Sequence, residues 1–359
     1  MRALYNTASL ETNFEAKSVE AVASIHYEFA HFLRGIAAIT VVLAWHFGGV
    51  FWINIAAVAQ LLGIENPPPL IAPTWITSLH SSSFNFGHFG VALFFLISGF
   101  VIPFSCKNLK PRAFLTARFF RIYPTYWFGL TFSIIALKYL NTGNELLRSY
   151  NIGLQYLLVR DFAWIPSLDG ISWTLEIELK FYLLCALINF TIIQAKVKNL
   201  FIVFFILGCI STLPAFLGSI QFIQPWLLPW QGVVNALSLS ALLIIYMFIG
   251  TLFYWHCCDQ IDKRMLSAAV MLAFIWFSIM WGFNPILKSV QFSGCFSYLM
   301  ALFCFYMFYR YRDFIKTPRI FKWLANISFS LYIIHPIVGY ALLYYFVYVK
   351  QISGFYPQH

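Results

Sequence analysis

The stretch Phe86 to Pro103, FGHFGVALFFLISGFVIP, decides how the chain is read. It is apolar enough and long enough to cross a bilayer as a helix, for which about 17–25 residues suffice. Gly87, Gly90, Gly99 and Ser98 interrupt it. Small residues on a membrane helix let a neighbouring backbone approach closely, so this helix is expected inside a bundle rather than facing lipid on all sides. A basic, aromatic run follows, with Arg118, Phe119, Phe120, Arg121, Tyr123, Pro124, Tyr126 and Trp127.

The composition extends that reading to the whole chain. Of 359 residues, 61% are hydrophobic and only 10% charged, and the mean hydropathy is +0.76. Repeated apolar runs in such a chain mean a polytopic membrane protein. The runs fall at 30–52, 86–105, 119–138, 173–194, 199–217, 234–256, 265–283, 292–309 and 324–347. The fold class expected is therefore all-α, a polytopic transmembrane helical bundle. Residues 1–27 read as a polar N-terminal tail without the pattern of a cleaved signal. The membrane domain is placed at 28–349 and a short C-terminal tail at 350–359.

The net charge of +10 fits basic cytoplasmic loops, so no nucleic-acid partner is expected. Lys107, Lys110, Arg112, Arg118 and Arg121 share one loop. Arg310, Arg312, Lys316, Arg319 and Lys322 share another, and Lys196, Lys198, Lys263 and Arg264 sit in short turns. A cytoplasmic N-terminus puts all of these inside and leaves Lys138, Arg148, Arg160, Lys288 and Lys350 outside. Two outer segments are longer than turns. Residues 53–85 carry Pro67, Pro68 and Pro69, and 139–172 carry an apolar run from Ile152 to Val159, too short to span and expected to be re-entrant or interfacial. Seven scattered cysteines (106, 185, 209, 257, 258, 295 and 304) show no metal-ligand spacing and read as reduced thiols, and no metal site is expected.

Ionisable side chains at membrane depth carry a cost and mark function. Arg34 and His46 share the first helix, roughly 18 Å apart along an α-helical axis. Arg34 belongs near the cytoplasmic boundary and His46 past the midplane. Glu178 lies about 8 Å down a helix that starts on the opposite side. His335 is near the middle of the last span, next to Pro336. Histidines and a carboxylate in one layer point to proton handling. Glu176, two residues from Glu178, is expected to face elsewhere and to pair with Lys180 at i,i+4. No nucleotide-binding loop, serine-hydrolase elbow or zinc motif occurs in the sequence.

These blocks resemble the integral-membrane acyltransferase family 3. The blocks are Leu33 to Ala38 leading to His46, and Gly90 to Phe100. Arg118 to Pro124 follows, then Trp173, Thr174, Leu175, Glu178, Phe181 and Tyr182, and finally Ile327 to Pro336 around Ser328, Ser330, Tyr332 and His335. Their order matches from about residue 30 to 340. The resemblance implies ten spans where nine are counted, a tenth then lying in 139–172 or 217–256. It also implies acyl transfer, with acetyl the expected group. The donor would be cytoplasmic acyl-CoA and the acceptor a hydroxyl of a cell-envelope glycan or lipid-linked precursor, in the bacterial cytoplasmic membrane. No bound cofactor is implied beyond acyl-CoA as donor substrate. His46, Glu178 and Arg34 would be catalytic. Arg118, Arg121 and Tyr123 would hold the donor, and Ser98, Trp173, Tyr182 and His335 would line the substrate site.

One departure matters. The family spaces its arginine and histidine by ten residues; here eleven, 35 to 45, intervene. Eleven helical steps bring a side chain back to within about 20° of its start, whereas twelve leave it about 120° away. Either a one-residue π-bulge sits between them or the two residues face different partners. A cavity is expected to run from Arg34, Arg118 and Arg121 to His46, with Glu178 and His335 at its upper end. The competing readings are a proton-coupled transporter and a non-catalytic membrane partner of an envelope-building complex.

Overall fold

The computed structural model describes residues 28–64, 70–80, 83–139, 151–220, 226 and 228–349. The expected tails, the three prolines at 67–69, Arg148 and Lys350 lie outside them. Among the described residues there are helices and no strands. Helix α1 is Glu28–Ile53. Short helices α2 (Ile55–Leu62) and α3 (Thr74–Leu79) follow, then α4 (Phe86–Asn108), α5 (Pro111–Tyr139) and α6 (Ile152–Leu157). The order continues with α7 (Ser172–Leu187), α8 (Asn189–Ile193), α9 (Val197–Ser219) and α10 (Gln231–Cys257). Helices α11 (Lys263–Phe283), α12 (Gln291–Arg310) and α13 (Arg319–Tyr344) complete it.

Seven of these helices are long and apolar enough to cross a membrane: α1, α4, α9, α10, α11, α12 and α13. The two other expected spans are helical but differ in kind. Helix α5 has 29 residues, yet its arginines, hydroxyls and aromatics make it less apolar. Helix α7 has only 16 and carries Glu176, Glu178 and Lys180 before the chain breaks into α8. Both build the polar interior, and the charges that suit them to it lower their hydropathy. Where the resemblance implies a tenth span, in 139–172 or 217–256, residues 140–150, 221–225 and 227 lie outside the described ones, and 152–157 is a single short helix.

Helix α10 is the axle. In its most apolar stretch 89% of the residues are buried, against 28–39% for the peripheral spans and 67% for α4. Helix α4 runs against it, and glycines set the distance. A methyl group on Gly99 would overlap the Met247 carbonyl oxygen, and one on Gly250 would overlap that of Leu96. Thr251 Oγ1 donates to the Gly99 carbonyl at 3.0 Å. Gly90 does the same service toward α1, where Val41 and the Ala37 carbonyl leave no room for a side chain. The glycines that interrupt the Phe86–Pro103 stretch are thus where two helices touch α4, as small residues in membrane helices commonly are.

The basic segments gather at one end. Glu28 accepts from Lys322 Nζ at 2.6 Å and from the Thr317 amide at 3.2 Å, which joins the start of α1 to the loop before α13. Arg312 Nη1 donates to the Tyr309 carbonyl, and His256 on α10 bonds the Tyr309 hydroxyl. At this end Gln260 reaches the Ile193 carbonyl.

Candidate active site

The first helix settles the spacing problem. From Thr40 to Val50 it is a π-helix, and the Phe51 amide bonds back five residues to the His46 carbonyl. Thr40 Oγ1 donates to the Ile36 carbonyl at 2.8 Å just where the winding changes, a back-bond that bends helices. Gly48 and Gly49 relieve crowding on its far half; a Cβ on Gly49 would collide with His80. An i→i+5 turn takes up one more residue than an α turn. The twelve steps from Arg34 to His46 therefore count in angle as about eleven, and the two side chains return to one face of α1.

Arg34 lines a cavity of about 280 Å³ with Arg121 of α5, Ser98 of α4, Glu178 and Tyr182 of α7, and Asn326, Ser328 and Tyr332 of α13. Val91, Phe94, Phe95, Ile122, Leu175 and Phe329 form its apolar wall. Four helices besides α1 thus bring polar groups to one chamber. Glu178 Oε1 accepts from Ser98 Oγ at 3.0 Å and from Tyr182 Oη at 2.5 Å, which fixes the carboxylate opposite the two guanidiniums. Ser98, Tyr182 and Glu178 are thereby brought together.

His46 does not line this cavity. Its Nδ1 meets Tyr340 Oη at 2.6 Å, and its ring stands edge-on to that of His335, 4.5 Å between centroids. His335 is buried, with 3% of its surface exposed. Its Nδ1 lies 2.8 Å from the Tyr332 carbonyl. A carbonyl only accepts, so Nδ1 carries the hydrogen and Nε2 keeps a lone pair, which has no partner. The expected single passage is therefore divided. Tyr332, its hydroxyl 2.9 Å from Thr174 Oγ1 and its ring 5.9 Å from that of Phe94, stands between the arginine cavity and the histidine pair. Glu178 is bonded in the lower chamber, and no hydrogen bond joins it to His46 among the described residues.

Three other expected residues point elsewhere. Arg118 lines a lateral groove instead of the cavity, drawn there by its bond to Ser105 Oγ. Tyr123 Oη donates to the Leu157 carbonyl at 3.0 Å. Trp173 lines a separate outward cleft with Arg160, Asp161 and Trp164.

The Glu176–Lys180 pairing is corrected. Glu176 is 1% exposed and takes a two-pronged bond from Arg160, Nε and Nη2 each 2.9 Å from a carboxylate oxygen. Lys180 pairs instead with Asp161 and touches only the Glu176 carbonyl. The sequence reading missed Arg160 and Asp161. Their adjacency, facing Glu176 and Lys180 one turn apart on α7, was the available signal. These pairs pin the segment 152–166, which does not span. The last carbonyls of α6, at Gln155, Tyr156 and Leu157, accept from Tyr126, Trp127 and Tyr123 of α5. A helix end inside a membrane protein needs such partners, because water is scarce there. The aromatic run after Arg121 supplies them.

The sequence model of the acyltransferase family 3 domain matches residues 27–356. The chain belongs to the acyltransferase 3 family. No curated protein and no solved structure matches it. As a family member the chain is an integral membrane acyltransferase, and the cavity of Arg34, Arg121 and Glu178 with the histidine pair above it is its candidate active site.

Proposed function

We propose that this acyltransferase moves an acyl group, acetyl in the first instance, from cytoplasmic acyl-CoA to a hydroxyl of a cell-envelope glycan or lipid-linked precursor. The observation that carries this is the convergence of Arg34, Arg121 and Glu178, from three helices, in a chamber with an apolar wall. At about 280 Å³ it is at the small end of ligand sites. It fits a thioester arm and leaves the nucleotide of the donor outside. Two guanidiniums suit the polyanionic part of CoA at the mouth. Such an orientation puts the basic end, and Glu28, on the cytoplasmic side of a bacterial inner membrane, in keeping with the positive-inside bias.

His46 is assigned as general base. In the tautomer that donates Nδ1–H to Tyr340 Oη, the His46 Nε2 lone pair takes the proton of the acceptor hydroxyl as the oxygen attacks the thioester carbonyl. The tetrahedral intermediate then expels the CoA thiolate, and the new ester leaves with the acceptor. Arg34, roughly 18 Å from His46 along α1, stays with Arg121 on the donor's phosphates. His335, whose tautomer is fixed by Tyr332, packs the His46 ring in place. Because Tyr332 and Phe94 stand between the cavity and the histidine pair, turnover requires the Tyr332 ring to move aside.

The test uses purified protein in lipid nanodiscs with acetyl-labelled CoA and envelope glycan or lipid fractions. Label is expected in the ester fraction with wild type and not with His46→Ala. Solute uptake by proteoliposomes without any ester formation would support transport and sink the assignment.

A further inference from the structure

Trp164 and Trp173 line one cleft, of about 440 Å³, together with Arg160, Asp161, Ser167 and Glu176. It lies at the end of the bundle opposite the basic loops. Trp173 is the second residue of α7, and Ala236 and Leu239 of the facing wall belong to the first third of α10. Trp164 is 43% exposed and Trp173 is half-buried. Among the described residues neither indole packs on another ring, and neither indole N–H bonds a protein atom. Trp164 also holds a left-handed backbone, φ 53° and ψ 31°, which is strained for a bulky residue. The chain turns there because the Trp164 and Ile165 amides bond back to the Asp161 and Arg160 carbonyls, and Gly232 packs against the same backbone. That turn needs no indole; a glycine would adopt it more readily. A large aromatic kept in a strained turn outside the core is a feature that clusters at ligand sites. The charges around the cleft cancel, since Arg160 pairs with Glu176 and Asp161 with Lys180. Two aromatic side chains with free N–H groups and no net charge suit a neutral ligand.

We propose that this cleft is a subsite for a neutral sugar ring, a pyranose of the acceptor glycan held apart from the hydroxyl that reacts. One face of a pyranose is a patch of C–H groups, which the negative face of an indole attracts. The hydroxyls around its rim suit the two free indole N–H groups. The position fits that role. Thr174, next to Trp173 on α7, turns the other way and meets the Tyr332 hydroxyl at 2.9 Å. The cleft and the wall before the histidines are thus on two sides of one helix, about 10 Å thick. A chain of sugars crossing the outer start of α7 would have one ring against the tryptophans and another near His46. That this chain is the acceptor rests on the proposed function; the sugar site itself does not.

The test reads binding without catalysis. Protein in lipid nanodiscs is titrated with maltotetraose, cellotetraose and chitotetraose, and saturation-transfer NMR follows the sugar protons. Sorbitol, which has hydroxyls but no ring face, is the control. At least one tetrasaccharide is expected to bind wild type, with the strongest transfer to ring C–H protons, and sorbitol is not. Trp164→Gly, in a turn that suits glycine, and Trp173→Leu are each expected to weaken that binding about tenfold or more. Both should keep acetyl-CoA binding and melt within a few degrees of wild type. Trp323→Leu, which removes an exposed indole at the basic end, should change nothing. Binding of no tetrasaccharide, or equal binding of sorbitol, would overturn the site. Unchanged sugar binding in both variants would overturn it too. So would a loss of binding that comes only with a lower melting point in both, which would make the two indoles interfacial anchors. Sugar binding without ester formation in the acyl-transfer assay would sink the proposed reaction and keep the site. Ester formation on glycan by both variants at the wild-type acceptor KM would sink the site's role and keep the reaction.

Discussion

Deleting Leu43 should leave the enzyme active, although it shortens a membrane helix next to His46, the proposed base. Leu43 lies within the π-helical segment Thr40–Val50 and is 55% exposed, so its loss removes little internal packing. If the π winding only takes up the additional residue between Arg34 and His46, the deletion lets that stretch return to α-helix. The two side chains are then eleven true steps apart and within about 20° of one face. Inserting one alanine after Leu43 makes thirteen steps and adds about 100° that the present winding does not absorb. With side-chain tips about 5–6 Å from the helix axis, that rotation moves the His46 imidazole by roughly 8 Å. Since a misplacement of about 1 Å can cost 100-fold, the insertion should lower acyl transfer by at least that factor. The deletion should stay within about tenfold of wild type. The assay is label transfer from acetyl-CoA at matched amounts of folded protein, with size exclusion confirming that each variant inserts. A well-folded Leu43 deletion that is as inactive as the insertion would refute the compensation argument and show that the π geometry itself is required.

Other perturbations separate the parts of the site. His46→Ala should abolish transfer without loss of the folded protein, whereas Tyr340→Phe, which removes only the hydroxyl holding His46, should lower turnover about tenfold to 100-fold with little change in the acetyl-CoA KM. Arg121→Lys should raise the acetyl-CoA KM, because a lysine does not reproduce a two-pronged contact; an unchanged KM would mark Arg121 as a simple positive-inside anchor. Glu176→Gln leaves Arg160 without its carboxylate and should cost about 3–5 kcal/mol, read as a fall in unfolding temperature in detergent; if stability is unchanged, the pair does not hold the 152–166 segment. Gly99→Ala should cost about 1–3 kcal/mol or more by forcing α4 off α10, seen in the same melting experiment.

The sequence revealed the bundle and the identity of the polar residues, but not how they divide. Span count by hydropathy works where a helix faces lipid, and α9, with 28% of its apolar stretch buried, announces itself. It fails for α5 and α7, whose function is to carry charge inward. The π segment was legible as an anomaly of one residue, because helical angle is a simple count. The division of the cavity was not, since it depends on two rings, Phe94 and Tyr332, from helices far apart in sequence. Nor was the separation of Arg118 from Arg121. Side chains three residues apart share a helix face only loosely, and here the boundary between two chambers passes between them. Arg160 escaped because a cation in a loop outside the apolar runs looks like any solvated charge until a buried carboxylate is found opposite it.

The wall between the chambers has a chemical consequence for the proposed reaction. A thioester in the Arg34–Arg121 chamber faces Glu178, and its carboxylate already holds two hydroxyl hydrogens, from Ser98 and Tyr182. Both bonds go to Oε1 and fix the orientation of the carboxylate in the chamber. His46, the proposed base, is on the other side of Tyr332. In the proposed reaction an acyl donor in this chamber meets that base only when the Tyr332 ring moves. Tyr332 is fixed at two points, its hydroxyl at Thr174 and its carbonyl at His335. The second tie links the wall directly to the base. Protonation of His335 Nε2, or binding of a hydroxyl near His46, would act on the same turn of α13 that carries the Tyr332 ring. Pro336, which lacks an amide hydrogen, follows His335 in α13 and weakens the backbone ladder there. An acceptor hydroxyl at His46 and a donor against the Tyr332 ring would thus act on one turn of α13, the first through the His335–Tyr332 tie and the second from the cavity that the ring lines.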